Sequence, residues 1–178
     1  MKQLDTLIER YPELEGQKEN ILKAYKILEE SYANGGKLLI AGNGGSAAYA
    51  EHIVGELMKG FENPRKLKEV EVEKLKGVND ELGEVLGKHL QGGLPAIALD
   101  GHFALSTAYM NDCEPLLCFA QQVNGYGREG DVFLGISTSG NSQNILYAAT
   151  VAKAKGMKVI VLTGAKDSKL SKMADVTI

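Results

Sequence analysis

The hexapeptide Ser137-Thr138-Ser139-Gly140-Asn141-Ser142 is entered from the apolar run Asp131-Val132-Phe133-Leu134-Gly135-Ile136 and followed by a helical pattern from about Gln143. A strand that ends in small hydroxyl residues and then opens a helix leaves backbone N–H groups unpaired at its mouth, with the positive end of the helix dipole behind them. Such a mouth binds anions, and the hydroxyls of Ser137, Thr138, Ser139 and Ser142 add donors to the amides. A phosphate monoester is the expected guest. The segment is not a P-loop, since the Gly-Lys-Ser/Thr ending is missing. Helix capping accounts for one of the hydroxyls and leaves the others unexplained.

Strand-turn-helix units recur on both sides of this stretch. Lys37-Leu38-Leu39-Ile40-Ala41 is nearly continuous in apolar character, as in a strand buried on both faces of a parallel sheet. Gly42-Asn43-Gly44-Gly45-Ser46 turns it into a helix, with glycines that allow positive φ and close backbone approach, and with Ser46 as a candidate cap. Its glycine spacing does not fit the dinucleotide pattern Gly-x-Gly-x-x-Gly. Leu94 to Leu99 and Lys158 to Leu162 read as further strands, and Ala174 to Ile178 begins another. His102 to Met110 is expected to be helical, Asn111-Asp112 a break, and Glu114 to Asn124 a helix burying Leu116, Leu117, Phe119, Ala120 and Val123.

Before the first strand, apolar residues from Leu4 to Tyr32 recur at helical spacing, with Pro12 opening a second helix and Asn34-Gly35-Gly36 ending it. The fold class is therefore α/β: a doubly wound, mostly parallel, five-stranded sheet flanked by helices, with an N-terminal helical arm. Ligands of such sheets bind at the carboxyl ends of the strands. The Gly42 to Ser46 and Ser137 to Ser142 loops both belong to that edge and are expected to face one pocket. The 178 residues suit a single domain, with a Lys- and Glu-rich helical insertion at about 62–93 in which His89 reads as a surface residue.

In the helix after the glycine turn, His52 and Glu56 lie four residues apart and so share a face. That spacing suits a divalent metal; it equally suits a surface hydrogen bond. A net charge of -3 offers no basic field for nucleic acid. No apolar run reaches the roughly 18 residues of a membrane span, and the N-terminus has no signal-peptide pattern, so a cytoplasmic location is expected. Cys113 and Cys118 have neither zinc-knuckle nor redox-pair spacing.

Taken in order, Gly42-Asn43-Gly44-Gly45-Ser46, His52 and Glu56, Asn111-Asp112, and Arg128-Glu129-Gly130-Asp131 running into Gly135-Ile136 and the Ser137 to Ser142 loop resemble the sugar isomerase (SIS) domain family, and within it the phosphoheptose isomerases. The resemblance covers residues 1–61 and 94–178 and leaves the insertion outside. It implies that Ser137, Thr138, Ser139 and Ser142 hold the phosphate of a sugar, and that Asn43, Gly44, Gly45, Ser46, Asn111 and Asp112 contact the sugar itself. It further implies that His52 and Glu56 ligate zinc and that Glu56 is the catalytic base, two duties that compete for one carboxylate. The implied reaction is aldose–ketose isomerisation of sedoheptulose 7-phosphate, in a homotetramer with active sites between subunits. Family members continue into a C-terminal helix that supplies a Gln and a His to the metal; those residues are absent, and the sequence is expected to stop short of its natural end. A non-catalytic SIS module, as in a relative that binds the bacterial replication initiator, or a sugar-phosphate sensor, is the rival reading.

Overall fold

The computed structural model describes residues 2–164 and 167–178. The N-terminal arm consists of α1 (Lys2–Arg10), a 3₁₀ turn over Pro12–Gln17, and α2 (Lys18–Ala33). Pro12 sits at the first position of the 3₁₀ turn, where its missing N–H costs nothing, and α2 starts six residues later than the sequence pattern suggests. The body then alternates: β1 (Leu38–Ala41), α3 (Gly45–Met58), α4 (Glu69–Val78), α5 (Asp80–His89), β2 (Ala96–Ala98), α6 (Phe103–Asp112), α7 (Cys118–Tyr126), β3 (Val132–Ser137), α8 (Gln143–Ala154), β4 (Lys158–Thr163), α9 (Lys169–Met173) and β5 (Val176–Thr177).

All five strands are parallel, in the order β2-β1-β3-β4-β5. Alternate residues of β1 enter opposite cores: Leu39 and Ala41 pack with Phe119, Val123, Phe133, Ile145 and Ala149 on the α7–α8 side, while Leu38 and Ile40 pack with Ala24, Ala50, Val132 and Leu134 on the α2–α3 side. Burial on both faces explains why β1 and β3 read as unbroken apolar runs.

The strand order reverses between β1, which turns toward β2, and β3, which turns toward β4. Loops leaving the carboxyl ends of two such strands diverge to opposite faces and open a crevice, the usual ligand position of a doubly wound sheet. Here those loops are Gly42–Gly44 and Thr138–Ser142.

Three sequence expectations need correction. The second strand is only three residues long, because Pro95 has no N–H for the ladder and Leu99 already belongs to a 3₁₀ turn. Asn111 and Asp112 are not a break but the last two residues of α6. The helix ends there, with Cys113 already extended and Pro115 holding Glu114 in an extended conformation (φ −82°, ψ 109°). Pro115 also delays α7 to Cys118 and leaves Leu116 45% exposed outside it.

The insertion is an antiparallel pair, α4 and α5, with His89 exposed at its end. Arg65 closes its base, donating from Nε to the Gly92 carbonyl at 2.7 Å and from Nη2 to the Leu57 carbonyl at 2.6 Å.

Candidate active site

The loop after β3 is tied internally. Gly140 takes a φ of +62°, and a side chain there would run into Ser168 and Thr163. The Gly140 N–H donates to the Ser137 carbonyl at 2.9 Å, and its carbonyl accepts from the Leu170 N–H at 3.1 Å, so the loop is held against the start of α9. Ser142 occupies the N-cap of α8 without making a side-chain cap. Its hydroxyl instead meets Ser137 Oγ at 2.9 Å. Ser137 is 3% exposed, whereas Thr138 and Ser139 face solvent. Ser139 Oγ accepts from the Asn141 N–H at 3.2 Å. The hydroxyls therefore divide, two facing out and two bonded to each other.

The loop after β1 reaches this one. Gly44, at φ +55°, is the N-cap of α3, and Ser46 lies inside the first turn with no side-chain cap assigned to it. Ser46 therefore does not cap, since the helix begins at Gly45, two residues earlier than a Ser46 cap requires. Asn43 Nδ2 donates to Asn144 Oδ1 at 3.0 Å, and Asn144 Nδ2 donates back to Asn43 Oδ1 at 2.8 Å. The expectation that both loops face one crevice thus has a direct bond behind it. Asn144 drew no attention in the sequence, where it is one more polar residue in a first helical turn.

Further along α3, His52 Nε2 stands 3.8 Å from Glu56 Oε1, with the side chains 76% and 47% exposed. One helical turn stacks them. Seven residues separate Gly45 from His52, a rise of about 10 Å along the helix, so the pair lies about two turns or more beyond the glycine turn on α3. Among the described residues no cluster of three or more His, Cys, Asp or Glu side chains is arranged to hold a metal. His52 and Glu56 fit one edge of such a site and supply two donors of the types zinc takes.

Asn111 and Asp112 bond to each other, Asn111 Nδ2 donating to Asp112 Oδ1 at 2.7 Å, and both face solvent. Their neighbour Met110 lines a cavity of about 150 Å³ with Asn144, Ser106 and Phe119, which brings the end of α6 to the same edge. Asp100, just beyond β2, carries no signal of its own in the sequence. Burial raises its carboxyl pKa, with the nearby Glu51 carboxylate adding to the effect. Its Oδ1 is buried without a hydrogen-bond partner among the described residues.

The fold and these loops define a class. The SIS domain family matches residues 2–76 and 87–164, and the chain belongs to that family. Within it, the relatives it resembles are phosphoheptose isomerases. It is 39% identical to that of Aneurinibacillus thermoaerophilus, over 84% of this chain and 62% of the relative. It is 38% identical to that of Thermodesulfovibrio yellowstonii, over 87% of this chain and 64% of the relative. The chain thus spans somewhat less than two thirds of the length of these relatives. The solved phosphoheptose isomerase of Neisseria gonorrhoeae superposes with a TM-score of 0.70 at 31% identity, covering 98% of this chain and 77% of that one. That of Francisella tularensis gives 0.69 at 32% identity, covering 98% and 76%.

Proposed function

We propose that the protein is an aldose–ketose isomerase of a phosphorylated sugar, interconverting sedoheptulose 7-phosphate and D-glycero-D-manno-heptose 7-phosphate. The observation that carries this reading is the crevice between β1 and β3, where a hydroxyl-lined loop leading into α8 and a glycine turn leading into α3 are joined through Asn43 and Asn144, with His52 and Glu56 farther along α3.

In this reading the phosphate rests on the backbone amides of Gln143 and Asn144 at the start of α8 and on the outward hydroxyls of Thr138 and Ser139, while the buried Ser137 holds the Ser142 hydroxyl in place. Anchoring the phosphate end fixes the distance from it to the reacting carbons, which lowers the entropic cost of reaching the transition state. Asn43, Gly44, Gly45 and Ser46 from one side, and Asn111 and Asp112 from the other, contact the sugar hydroxyls. Isomerisation moves a proton between adjacent carbons through an enediolate, so it needs a carboxylate close to both. Glu56 takes that part, removing the proton from one carbon and returning it to the next, while the hydroxyl proton passes between the two oxygens of the enediolate so that the carbonyl and the hydroxyl exchange places. His52 and Glu56 would hold a zinc ion, which when bound polarises the substrate carbonyl as a Lewis acid. The protein is proposed to work in the cytoplasm as a homotetramer with active sites at subunit contacts. Its charged α4–α5 hairpin is proposed as an insertion within a single SIS domain.

The exposure of His52 and Glu56 favours a second reading, a non-catalytic sugar-phosphate or protein-binding module. One assay separates them: consumption of sedoheptulose 7-phosphate by the full-length protein, with and without added zinc, for wild type and Glu56→Gln. Turnover that Glu56→Gln abolishes while phosphate binding persists supports the isomerase. Wild-type protein that binds the sugar phosphate without converting it supports the module.

A further inference from the structure

Asn43 is a poor reader of a sugar on its own, because its side-chain amide can turn over and exchange a donor for an acceptor at little cost. Asn144 removes that freedom. Its Oδ1 accepts the backbone N–H of Ile145 at 3.0 Å as well as Asn43 Nδ2 at 3.0 Å. Turning the Asn144 amide would set an NH₂ group against the Ile145 N–H, donor against donor, so the helix backbone selects one orientation. That orientation selects one for Asn43 in turn, since Asn43 Oδ1 must accept from Asn144 Nδ2 at 2.8 Å. Each bond uses one of the two amide hydrogens and one of the two lone pairs of Asn43, leaving one of each, in fixed directions, for a ligand.

We infer that Asn144 is a positioning residue of the crevice: it acts through Asn43, setting the orientation of that amide and joining the glycine turn to the first turn of α8. The inference rests on the proposed sugar-phosphate site and assigns the Asn144 side chain no contact with substrate. It predicts a separation of effects. The phosphate end, held by the loop after β3, is insensitive to Asn144, whereas the sugar end depends on it.

The test is a double-mutant cycle in the full-length protein with zinc supplied, comparing wild type, Asn43→Ala, Asn144→Ala and the double variant. Melting temperature, kcat/KM for sedoheptulose 7-phosphate, and calorimetric affinities for that sugar phosphate and for inorganic phosphate are measured for each. Asn144→Ala is expected to lower kcat/KM and sugar-phosphate affinity about tenfold, the equivalent of one well-made hydrogen bond. Inorganic phosphate affinity should stay within about twofold of wild type, and the double variant should be no worse than Asn43→Ala alone. Additive losses in the double variant, unchanged sugar-phosphate affinity in Asn144→Ala, or an equal loss of inorganic phosphate would overturn the inference.

Should Asn144→Ala fail to fold, Asn144→Asp serves in its place. It keeps acceptors for Ile145 and Asn43 Nδ2 but cannot donate to Asn43 Oδ1 when ionised, and the effect of its charge on phosphate cancels across the cycle. Wild-type protein that binds the sugar phosphate but does not convert it would defeat the isomerase reading alone, with the cycle on affinity still deciding the role of Asn144. Wild-type protein that does not bind the sugar phosphate defeats both.

Discussion

The hydroxyls of Ser137 and Ser142 meet at 2.9 Å across the mouth of the loop after β3, one at the end of the strand and the other at the N-cap of α8. Because Ser137 is buried and Ser139 is exposed, serines two positions apart have different duties. Ser137→Ala is expected to cost about 1 kcal/mol of stability through the lost bond. Ser139→Ala should leave stability within about 0.5 kcal/mol and weaken phosphate binding by about 1 kcal/mol. Urea denaturation and phosphate calorimetry on the two variants check the division; equal effects on both quantities would contradict it.

Gly140 is where the loop has least room. Its φ of +62° disfavours any side chain, and a methyl group would collide with Ser168 and Thr163. Gly140→Ala is therefore expected to destabilise the protein by about 3 kcal/mol, combining left-handed strain with overpacking. Denaturant unfolding measures the loss. A loss below 1 kcal/mol would mean that α9 retreats from the loop easily.

Much of this arrangement was legible in the residue string, because the dominant signals are local. Continuous apolar character marked β1 and β3, and glycine and hydroxyl residues marked the turns that follow them. The errors arose where a nonlocal or competing term decides. Asn111 and Asp112 favour turns, yet α6 runs through both and ends before the extended Cys113 and Glu114 that precede Pro115. Ser46 is a good cap by type, but the glycine turn starts the helix at Gly45 and leaves Gly44 in the cap position. Asn144 could not be found at all, since its meaning lies in a partner 101 residues away.

Asp131 shows the same kind of nonlocal role. Nearly buried at the entrance to β3, it accepts from the Lys37 N–H at 2.9 Å, from Lys37 Nζ at 2.6 Å and from the Arg128 N–H at 2.8 Å. It thereby fixes the register of β3 against the residue preceding β1, and with it the relative height of the two loops. Asp131→Ala should cost about 3 kcal/mol, since it strands a half-buried ammonium and two backbone donors. Guanidinium unfolding tests this. Asp131→Asn, which keeps an acceptor but not the charge, should recover part of the loss.

Asp175 makes the stability sensitive to acid. Burial alone would raise its carboxyl pKa, but that push is outweighed by the Val159 N–H, donating at 2.8 Å, and by the ammonium groups of Lys153 and Lys158. The net result is a pKa lowered from its ordinary value of 3.8. A carboxyl whose folded pKa is depressed contributes stability that is fully present above the unfolded value and fades as pH falls through the folded one. The wild-type melting temperature should therefore drop as the pH goes below about 4. Asp175→Asn should be less stable than wild type at pH 7, with the difference shrinking toward pH 3. The loss should fall at the far edge of the sheet, where Asp175 leads into β5 and its backbone carbonyl accepts from Lys23 Nζ of α2 at 2.8 Å. Differential scanning calorimetry from pH 3 to 7 on both proteins reads the effect, and parallel curves would show that the carboxylate carries none of it.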